Sequence, residues 1–572
     1  MVFIDFTTIQ SKYYHQYINK IQCGNVFQLI NQFPDNFLFS SITSPPYWLA
    51  RDYNTPYQYF DENKNCSHSW IFFKVQGTTG GTKSQKVQIK CNENFQIVPE
   101  SHQALCIRCG CWFGEFGREP YLLDYSFMFD NNVVIVKGYL SHLCDLMTLI
   151  LQKTRIDGSL WVNLGDKYYD KKRITMQKEF LSIDKIEHFI SKKEFQNKTL
   201  CGIPQNFMIE MRNRGFIIRN NIIWEKDNAF PSPVKNRFTL NFEDLFFIVK
   251  NNKPQYWVNE ITLQTILKTP KGTQGLYNQD WKWVICEHCL SILEKNEKLI
   301  PTFLEHTEFN AKNFTFEILT ELLPSFSSEE LFPIKFTSLC KNKSCIDGKI
   351  KKTVWVGYNY YFEQQLEPLQ SQYAKTTYSK NKSKLLKEVN STYSARKYDA
   401  KNYVHGRNKR CIWRINTANS KEKHCASYSE ELIKTPIKAS IPLYFCTQCG
   451  LPRVPIYDYY YNKPLEIYKG VAIKDYSNAL AQNPSESKRR ILQSMRKIRF
   501  LKGYSHCICE KPYYEHGFGF DPFMGIGNTA LSLLNLNRMY MGIDLNEEYV
   551  KISRKNIKKI NTNTKLDLLV LK

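Results

Sequence analysis

The sequence lacks any apolar run long enough to span a membrane, which takes about 20 residues, and it lacks internal repeats. Its first 20 residues are polar and contain no apolar signal core, so we expect a cytoplasmic protein rather than a secreted one. Acidic residues are scarce: 54 Asp and Glu stand against 78 Lys and Arg, a formal net charge of +24. This surplus favours a polyanionic partner such as nucleic acid, and a solvated basic surface is the alternative.

The 18 cysteines fall mostly in close pairs, three of them with CxxC spacing. Disulfides are rare in a reducing compartment, and a CxxC turn directs two thiolates at one tetrahedral metal ion. We therefore predict three structural zinc sites with four protein ligands each. In chain order the sets are Cys66, His68, Cys106 and Cys109; Cys286, Cys289, Cys340 and Cys345; and Cys446, Cys449, Cys507 and Cys509. Cys91 and Cys111 are reserve ligands for the first site, and scattered buried thiols are the alternative interpretation.

The apolar run at 37–42 predicts a buried strand that ends in the sequence Thr-Ser-Pro-Pro-Tyr at 43–47. Two prolines cannot continue a β-ladder, because they have no N–H to donate, so they form a stiff loop. Open α/β sheets place ligands at the carboxyl ends of their strands. Ser44 and the carbonyl of Pro45 can accept hydrogen bonds there, and Tyr47 offers a stacking face. A turn with an aromatic lid is the alternative.

A glycine-containing loop lies near the other end of the sequence. The pattern predicts a strand that reaches Asp521, a loop with Gly525 and Gly527, a helix from Thr529 and a strand that ends in Asp544. Glycines let a cofactor approach the backbone, and an acid about 20 residues further on can hold a ribose. The full G-x-G-x-x-G spacing is absent, so an ordinary βαβ turn is the alternative.

Together the two motifs resemble those of S-adenosylmethionine-dependent DNA amino-methyltransferases. DPFMGIGNT at 521–529 is similar to the DPFxGxGTT segment of that family, and TSPPYW at 43–48 is similar to its catalytic loop in the N4-cytosine form. The catalytic loop comes first, as in the circularly permuted β class. Further blocks resemble the same family at 157–169, 202–250, 407–415 and 424–440.

The resemblance implies roles for individual residues. The loop Ser44-Pro45-Pro46-Tyr47 would hold the exocyclic amine of a flipped base, so that its lone pair attacks the sulfonium methyl group. The cofactor would lie against Asp521, Pro522, Phe523, Gly525, Gly527 and Asp544, with Asn25, His424 and Ser427 in flanking segments. Asp544 stands where the family usually has Glu, Asn25 stands where it often has Asp, and helix capping is an equal role for Ser427.

The implied fold is α/β and Rossmann-like, with a mainly parallel sheet, helices on both faces and zinc-ribbon-like insertions. We assign a discontinuous catalytic domain to 1–60, 120–257, 405–442 and 515–572. The insertions are a zinc ribbon at 61–119, a target-recognition region at 258–404 that holds the second cysteine site, and a third ribbon at 443–514.

The leading hypothesis is a site-specific methyltransferase that modifies N4 of cytosine in double-stranded DNA, because Ser rather than Asp occupies position 44. An N6-adenine enzyme of the same fold is the main alternative. More remote alternatives are an RNA or protein methyltransferase and a zinc-dependent nucleic-acid-binding protein. The Pro-Cys dipeptide of C5-cytosine enzymes is absent. A cognate restriction endonuclease on a separate chain is a candidate partner, and the recognition sequence and oligomeric state stay open.

Overall fold

The computed structural model of the chain describes fourteen stretches of residues. These are 16–75 (except 51, 52 and 54), 86–99 (except 92 and 93), 102–170, 174–176, 195–250 (except 230–232), 256–258, 283–285, 292–295, 356–358, 360–367, 407–417, 428–461 (except 449, 451 and 454), 497–504 and 513–563. The strand predicted at 37–42 is observed as Leu38–Thr43, and the helix predicted from Thr529 is observed as Asn528–Asn535. These apolar segments therefore form the elements that their patterns predict.

A central sheet of eight strands is assembled from segments that are far apart in the sequence. In chain order the strands are β1 (Lys20–Cys23), β2 (Leu38–Thr43), β3 (Thr154–Leu164), β4 (Ile217–Glu225), β5 (Phe242–Val249), β6 (Ile412–Arg414), β7 (Phe518–Asp521) and β8 (Met539–Asp544). They lie in the order β1-β8-β7-β2-β3-β5-β4-β6. Among the described strands of this sheet, only β5 runs antiparallel to its neighbours. The predicted mainly parallel sheet is confirmed.

The strand pairing brings distant loops to one edge of the sheet. Ser41 pairs with Phe520, and Asp521 pairs with Gly542. At the next interface, Cys23 pairs with Asp544. Because parallel strands end at the same edge, the loops after β1, β2, β7 and β8 meet there. The connection between β4 and β5 reaches this edge too, since β5 starts opposite the end of β3.

Helices cover both faces of the sheet, as predicted. They are α1 (Val26–Leu29), which continues into a 3₁₀ turn at Ile30–Gln32, α2 (Tyr139–Lys153), α3 (Ile203–Asn213), α4 (Glu430–Ser440), α5 (Asn528–Asn535) and α6 (Glu547–Asn563). Alternate residues of β3 point to opposite faces. Leu160 and Val162 join the core under α1, α2 and α3, whereas Trp161 joins the core under α4, α5 and α6. The sheet is therefore the middle layer of three.

A smaller antiparallel sheet is formed mainly by residues that follow the Ser-Pro-Pro-Tyr loop in the sequence. Its five strands lie in the order Ile174–Met176, Trp70–Val75, His102–Cys106, Trp112–Gly114 and Gln58–Phe60. Two-stranded pairs are Lys86–Cys91 with Asn94–Pro99, Tyr125–Phe129 with Asn132–Val136, Tyr256–Val258 with Val356–Tyr358, Trp283–Ile285 with Ile292–Lys295, Leu366–Glu367 with Arg407–Asn408, Tyr444–Cys446 with Tyr514–His516, and Pro455–Tyr461 with Lys497–Tyr504.

All eight central strands fall inside the four segments assigned to the catalytic domain. The domain boundaries themselves stay a prediction. Within the described part of the chain, no helix combines the length and the apolar character that a membrane crossing requires.

Candidate active site

The Ser-Pro-Pro-Tyr loop directly follows β2, and hydrogen bonds to neighbouring segments of the chain hold it in place. The hydroxyl of Tyr139 donates to the carbonyl of Pro46 at 2.7 Å, and the indole N–H of Trp48 donates to the carbonyl of Glu119 at 2.9 Å. The Leu49 N–H donates to the Gly117 carbonyl at 2.7 Å. Gly117 has φ +87°, and a Cβ there would lie 3.2 Å from the Cβ of Pro46. The segment around Gly117 therefore needs glycine to approach and support the loop.

A cluster of charged side chains, in which Glu119 and His142 are buried, fixes that supporting segment. The backbone N–H of Gly117 donates to Glu119 Oε2 at 2.8 Å. His142 lies between two carboxylates, with Nδ1 3.1 Å from Glu119 and Nε2 3.0 Å from Asp61. Burial opposes the charge on His142, but hydrogen bonds to Asp61 and Glu119 outweigh burial and raise its pKa to about 9. His142 is therefore an imidazolium at neutral pH, paired on both sides.

Replacing His142 by glutamine is expected to cost about 3 kcal/mol of unfolding free energy at pH 7, because it leaves Glu119 buried without a cation. The His142 pKa is about 9 in the folded protein and about 6.5 when unfolded. The stabilisation that His142 provides is therefore complete below about pH 6.5 and is lost as pH rises through 9.

Urea unfolding of the wild type and of His142→Gln at pH 6.5 and pH 9.5 measures this pH dependence. Lys137→Gln, which removes a half-exposed partner of Asp61, is the matched control and should cost less. A His142→Gln deficit that does not shrink at high pH would contradict the assignment.

Tyr47 directs its hydroxyl into the protein, toward a carboxylate on β5. Ser44 Oγ donates to the Tyr47 hydroxyl at 3.2 Å, and that hydroxyl donates to Glu243 Oε2 at 2.7 Å. Asn163 Nδ2 donates to both Tyr47 and Glu243, and Lys226 forms an ion pair with Glu243. Burial first, and the charge of Glu243 second, raise the pKa of Tyr47 well above its usual range. The phenol therefore keeps its proton.

The glycine loop lies beside the Ser-Pro-Pro-Tyr loop, because β7 pairs with β2. Asp521 is buried, and its carboxylate holds the loop: Oδ1 accepts the Phe523 N–H at 3.0 Å, and Oδ2 accepts the Tyr428 hydroxyl at 3.0 Å and the Thr529 hydroxyl. Burial raises the pKa of Asp521. Pro522 is buried, and the ring of Phe523 stacks on Phe116 at 5.7 Å between centroids. Asp521 thus shapes the loop from inside.

Gly525 and Gly527 both have left-handed backbones, with φ values of +55° and +96°. Asp544, at the end of β8, accepts the Gly525 N–H at 2.7 Å through Oδ2 and the Asn546 N–H at 2.8 Å through Oδ1. Burial raises the pKa of Asp544 to about 6 despite these hydrogen bonds. Each carboxylate oxygen has about two acceptor sites, so each can accept a further donor. Because this buried carboxylate can accept one more hydrogen bond on each oxygen, it fits a ligand that carries two hydroxyl groups.

Asn25, His424 and Ser427 are the other residues that the resemblance places near the cofactor. Gly24 donates its N–H to the carbonyl of Asp544 at 3.0 Å, which brings Asn25 to the same edge. Asn25 Oδ1 accepts the Phe27 N–H at 2.8 Å, so this side chain caps α1. His424 and Ser427 lie outside the described residues. The observed cap of α4 is Ser429, which accepts the Glu431 N–H.

The first predicted metal site is assembled. One ligand atom from each of Cys66, His68, Cys106 and Cys109 lies within 4.8 Å of all the others. The Cys66 and Cys106 sulfurs are 3.9 Å apart, close to the spacing of about 3.8 Å that Zn–S bonds near 2.3 Å give in a tetrahedral site. Cys111 is buried and is not part of this group, and the Cys91 side chain lies outside the described residues. The set fits zinc without either reserve ligand.

The other two predicted metal sites lie mostly outside the described residues. This applies to Cys286, Cys289, Cys340, Cys345, Cys449, Cys507 and Cys509. Cys446 is described and is buried at the end of its strand. The second and third sites therefore stay predictions.

Residues 40–443 and 484–555 match the model of a protein family described as DNA methylase, the N6/N4 methylases. This match covers most of the chain. The chain belongs to the DNA methylase family. The expected resemblance is therefore confirmed at the level of the family.

The similarity to individual methyltransferases covers a smaller part of the chain than the family match does. The type II methyltransferase M.SmaI of Serratia marcescens is 28% identical over 199 residues, which are 34% of this chain and 63% of the relative. M.Cfr9I of Citrobacter freundii is 31% identical over 172 residues, 29% of this chain and 54% of the relative. The chain thus spans less than two thirds of the length of each of these two relatives.

Among solved structures, the PvuII DNA methyltransferase (cytosine-N4-specific) is 10% identical to this chain, with a TM-score of 0.31. The alignment covers 95% of this chain and 91% of that chain.

Sequence reasoning missed several residues of the candidate site, namely Glu119, His142, Asn163 and Glu243. The signal for Glu243 was an acidic pair, Glu243-Asp244, at the start of an otherwise apolar strand. An acid that is buried with a strand needs a specific partner. The partners come from other strands, so the sequence did not identify them.

Proposed function

We propose that the chain transfers a methyl group from S-adenosylmethionine to the exocyclic N4 of a cytosine flipped out of double-stranded DNA. The observation that carries the proposal is the pairing of β2 with β7, which sets the Ser44 loop beside the Asp521 loop. A methyl acceptor at the first loop and a methyl donor at the second would then be neighbours. Methyl transfer by direct displacement depends mainly on such positioning.

S-adenosylmethionine, when bound, supplies an electrophilic methyl group on a sulfonium. The residues present fit it: Asp544 can accept the two ribose hydroxyls, and Gly525 and Gly527 leave the backbone accessible. Asn25 follows Gly24, whose N–H donates to the Asp544 carbonyl, but its side chain already caps α1, so this cap competes with the adenine contact that the resemblance implies for Asn25. Asp521 acts by holding the loop.

On the base side, the amine offers two N–H groups. Ser44 Oγ and the Pro45 carbonyl would accept them, which draws the nitrogen toward tetrahedral geometry and frees its lone pair. Ser rather than Asp at position 44 favours cytosine, and N6-adenine methylation is the alternative. The +24 charge fits a duplex DNA substrate. We further propose target recognition by 258–404, the domain division given above, and restriction-modification with a separate endonuclease as the setting.

The test is mass spectrometry of nucleosides from duplex DNA of varied sequence, incubated with the protein and deuterium-labelled S-adenosylmethionine. Labelled N4-methylcytosine is expected. Labelled N6-methyladenine would preserve the mechanism and overturn the cytosine assignment. Label in RNA but not in DNA, or no label at all, would overturn the proposed function.

Affinity for S-adenosylmethionine is expected to rise as pH increases through about 6, the pKa of Asp544. The ionised carboxylate accepts hydrogen bonds that the protonated group largely loses, a difference of about 1.5–3 kcal/mol, or roughly tenfold or more in affinity. Isothermal titration calorimetry at pH 5 and pH 7.5 measures this. Asp544→Asn should bind weakly at both values. Glu547→Gln, at an exposed acid at the start of α6, should keep the wild-type profile. A pH-independent affinity in the wild type would contradict the role of Asp544.

A further inference from the structure

The Tyr47 hydroxyl has a complete set of hydrogen-bond partners. A phenol has one proton to donate and two lone pairs to accept with. It donates to Glu243 Oε2, since an ionised carboxylate has no proton to give, and it accepts from Asn163 Nδ2 and from Ser44 Oγ. The partners come from the loop after β2 and from β3 and β5, so three separate segments fix the direction of each bond.

The Glu243 carboxylate is itself fixed. Lys226 Nζ pairs with Oε1, and Asn163 Nδ2 donates to Oε2 at 2.6 Å. Lys226 also lies 4.2 Å from the centre of the Trp224 ring, which restricts the ammonium group. Glu243 and Lys226 are largely buried, with side-chain exposures of 17% and 16%. The carboxylate is therefore held in one place beside Tyr47 by an ion pair and a hydrogen bond.

This chain of bonds determines what Ser44 can do. A serine hydroxyl has a single proton, and here that proton points at Tyr47. Its lone pairs are then the only hydrogen-bonding capacity left for a substrate amine. A serine that was free to rotate would donate to the amine nitrogen in part of its orientations, and this would occupy the lone pair that must attack.

We infer that Glu243 is a positioning residue for methyl transfer: acting through the Tyr47 hydroxyl, it keeps Ser44 oriented as a hydrogen-bond acceptor. This inference rests on the proposed function. It assigns the Tyr47 hydroxyl a task separate from the predicted stacking of its ring. It also gives Lys226 and Asn163 a common purpose, which is to hold Glu243 against Tyr47.

The experiment compares Glu243→Gln, Tyr47→Phe and the double variant in single-turnover methyl transfer. Each single variant is expected to slow transfer roughly tenfold or more. Affinities for DNA and for S-adenosylmethionine should stay close to wild type, whereas the melting temperature should fall in Glu243→Gln, because Lys226 is left largely buried without its carboxylate partner. The double variant should be no slower than Tyr47→Phe, because Glu243 acts only through the hydroxyl that this change removes. A residue with a merely structural role would not give this non-additivity.

Glu225→Gln is the matched control. Glu225 ends β4 next to Lys226 but pairs with the exposed Arg414, so this change should leave the transfer rate unaltered. Normal transfer by Glu243→Gln, or a double variant in which the two losses multiply, would overturn this inference alone. No transfer by the unaltered protein would overturn the proposed function and this inference with it.

Discussion

Replacing Ser44 by alanine is expected to slow methyl transfer by about 10²–10³-fold, the loss typical of removing one preorganised hydrogen-bonding group from a transition state. Ser44 is one of two acceptors proposed for the amine, and it is oriented by Tyr47. Most of the residues proposed to bind the cofactor lie in the loop after β7 and at the end of β8, so affinity for S-adenosylmethionine should not change. Single-turnover transfer and calorimetric cofactor binding measure the two effects separately.

Ser429→Ala is the matched control for this prediction. It makes the same chemical change at the N-cap of α4, away from the catalytic loop. Loss of a cap costs about 1 kcal/mol of stability, and transfer by folded protein should stay near the wild-type rate. An equal loss of cofactor affinity and transfer in Ser44→Ala would contradict a base-side role for Ser44.

Removing zinc from the site predicted at Cys66 is expected to abolish most of the activity, although its four ligands are not among the residues proposed to contact the base or the cofactor. Metal affinity and folding are coupled, and zinc contributes about 10–16 kcal/mol in small zinc-binding domains. In this chain the Cys106–Cys109 turn is followed by the strand Trp112–Gly114 and then by Gly117 and Glu119, which support the catalytic loop. Loss of the metal would loosen that support, and a misplacement near 1 Å can cost about 10²-fold in rate.

Metal analysis of the purified protein, followed by transfer assays after chelation and after zinc is restored, tests this prediction. About three zinc ions are expected in the untreated protein if all three predicted sites form. Cys66→Ser should lose one ion and most of the activity. Cys23→Ser changes an exposed cysteine at the end of β1 and should lose no ion. Protein that contains no metal but is fully active would rule out the site.

The sequence predicted the parts of this site that depend on local chemistry. Two prolines after a buried strand define a stiff loop, and a strand, a glycine loop and an acid define a ligand-binding turn. The ligand set Cys66, His68, Cys106 and Cys109 was predicted from spacing, and the structure brings these four residues together. Each of these signals is contained in a few neighbouring residues or in a pair of turns.

Local patterns could not predict what the pairing of distant strands decides. Glu243 reaches Tyr47 across 196 positions, and His142 reaches Asp61 across 81. Asn25 caps α1, and Asp521 accepts a hydrogen bond from its own loop. Both roles depend on which donors the fold brings near these side chains. Burial then changes the chemistry, as in Asp544, whose pKa rises to about 6 only inside the folded protein.

The sequence by itself predicted the two loops from short patterns of proline, glycine and apolar residues, and the resemblance of those motifs to a known family indicated the family and its fold class. The tertiary structure alone decided how Ser44 is oriented and what supports the catalytic loop. The physical reason is that hydrogen-bond direction and desolvation are set by the complete surroundings of a group, and here those surroundings come from strands far apart in the chain.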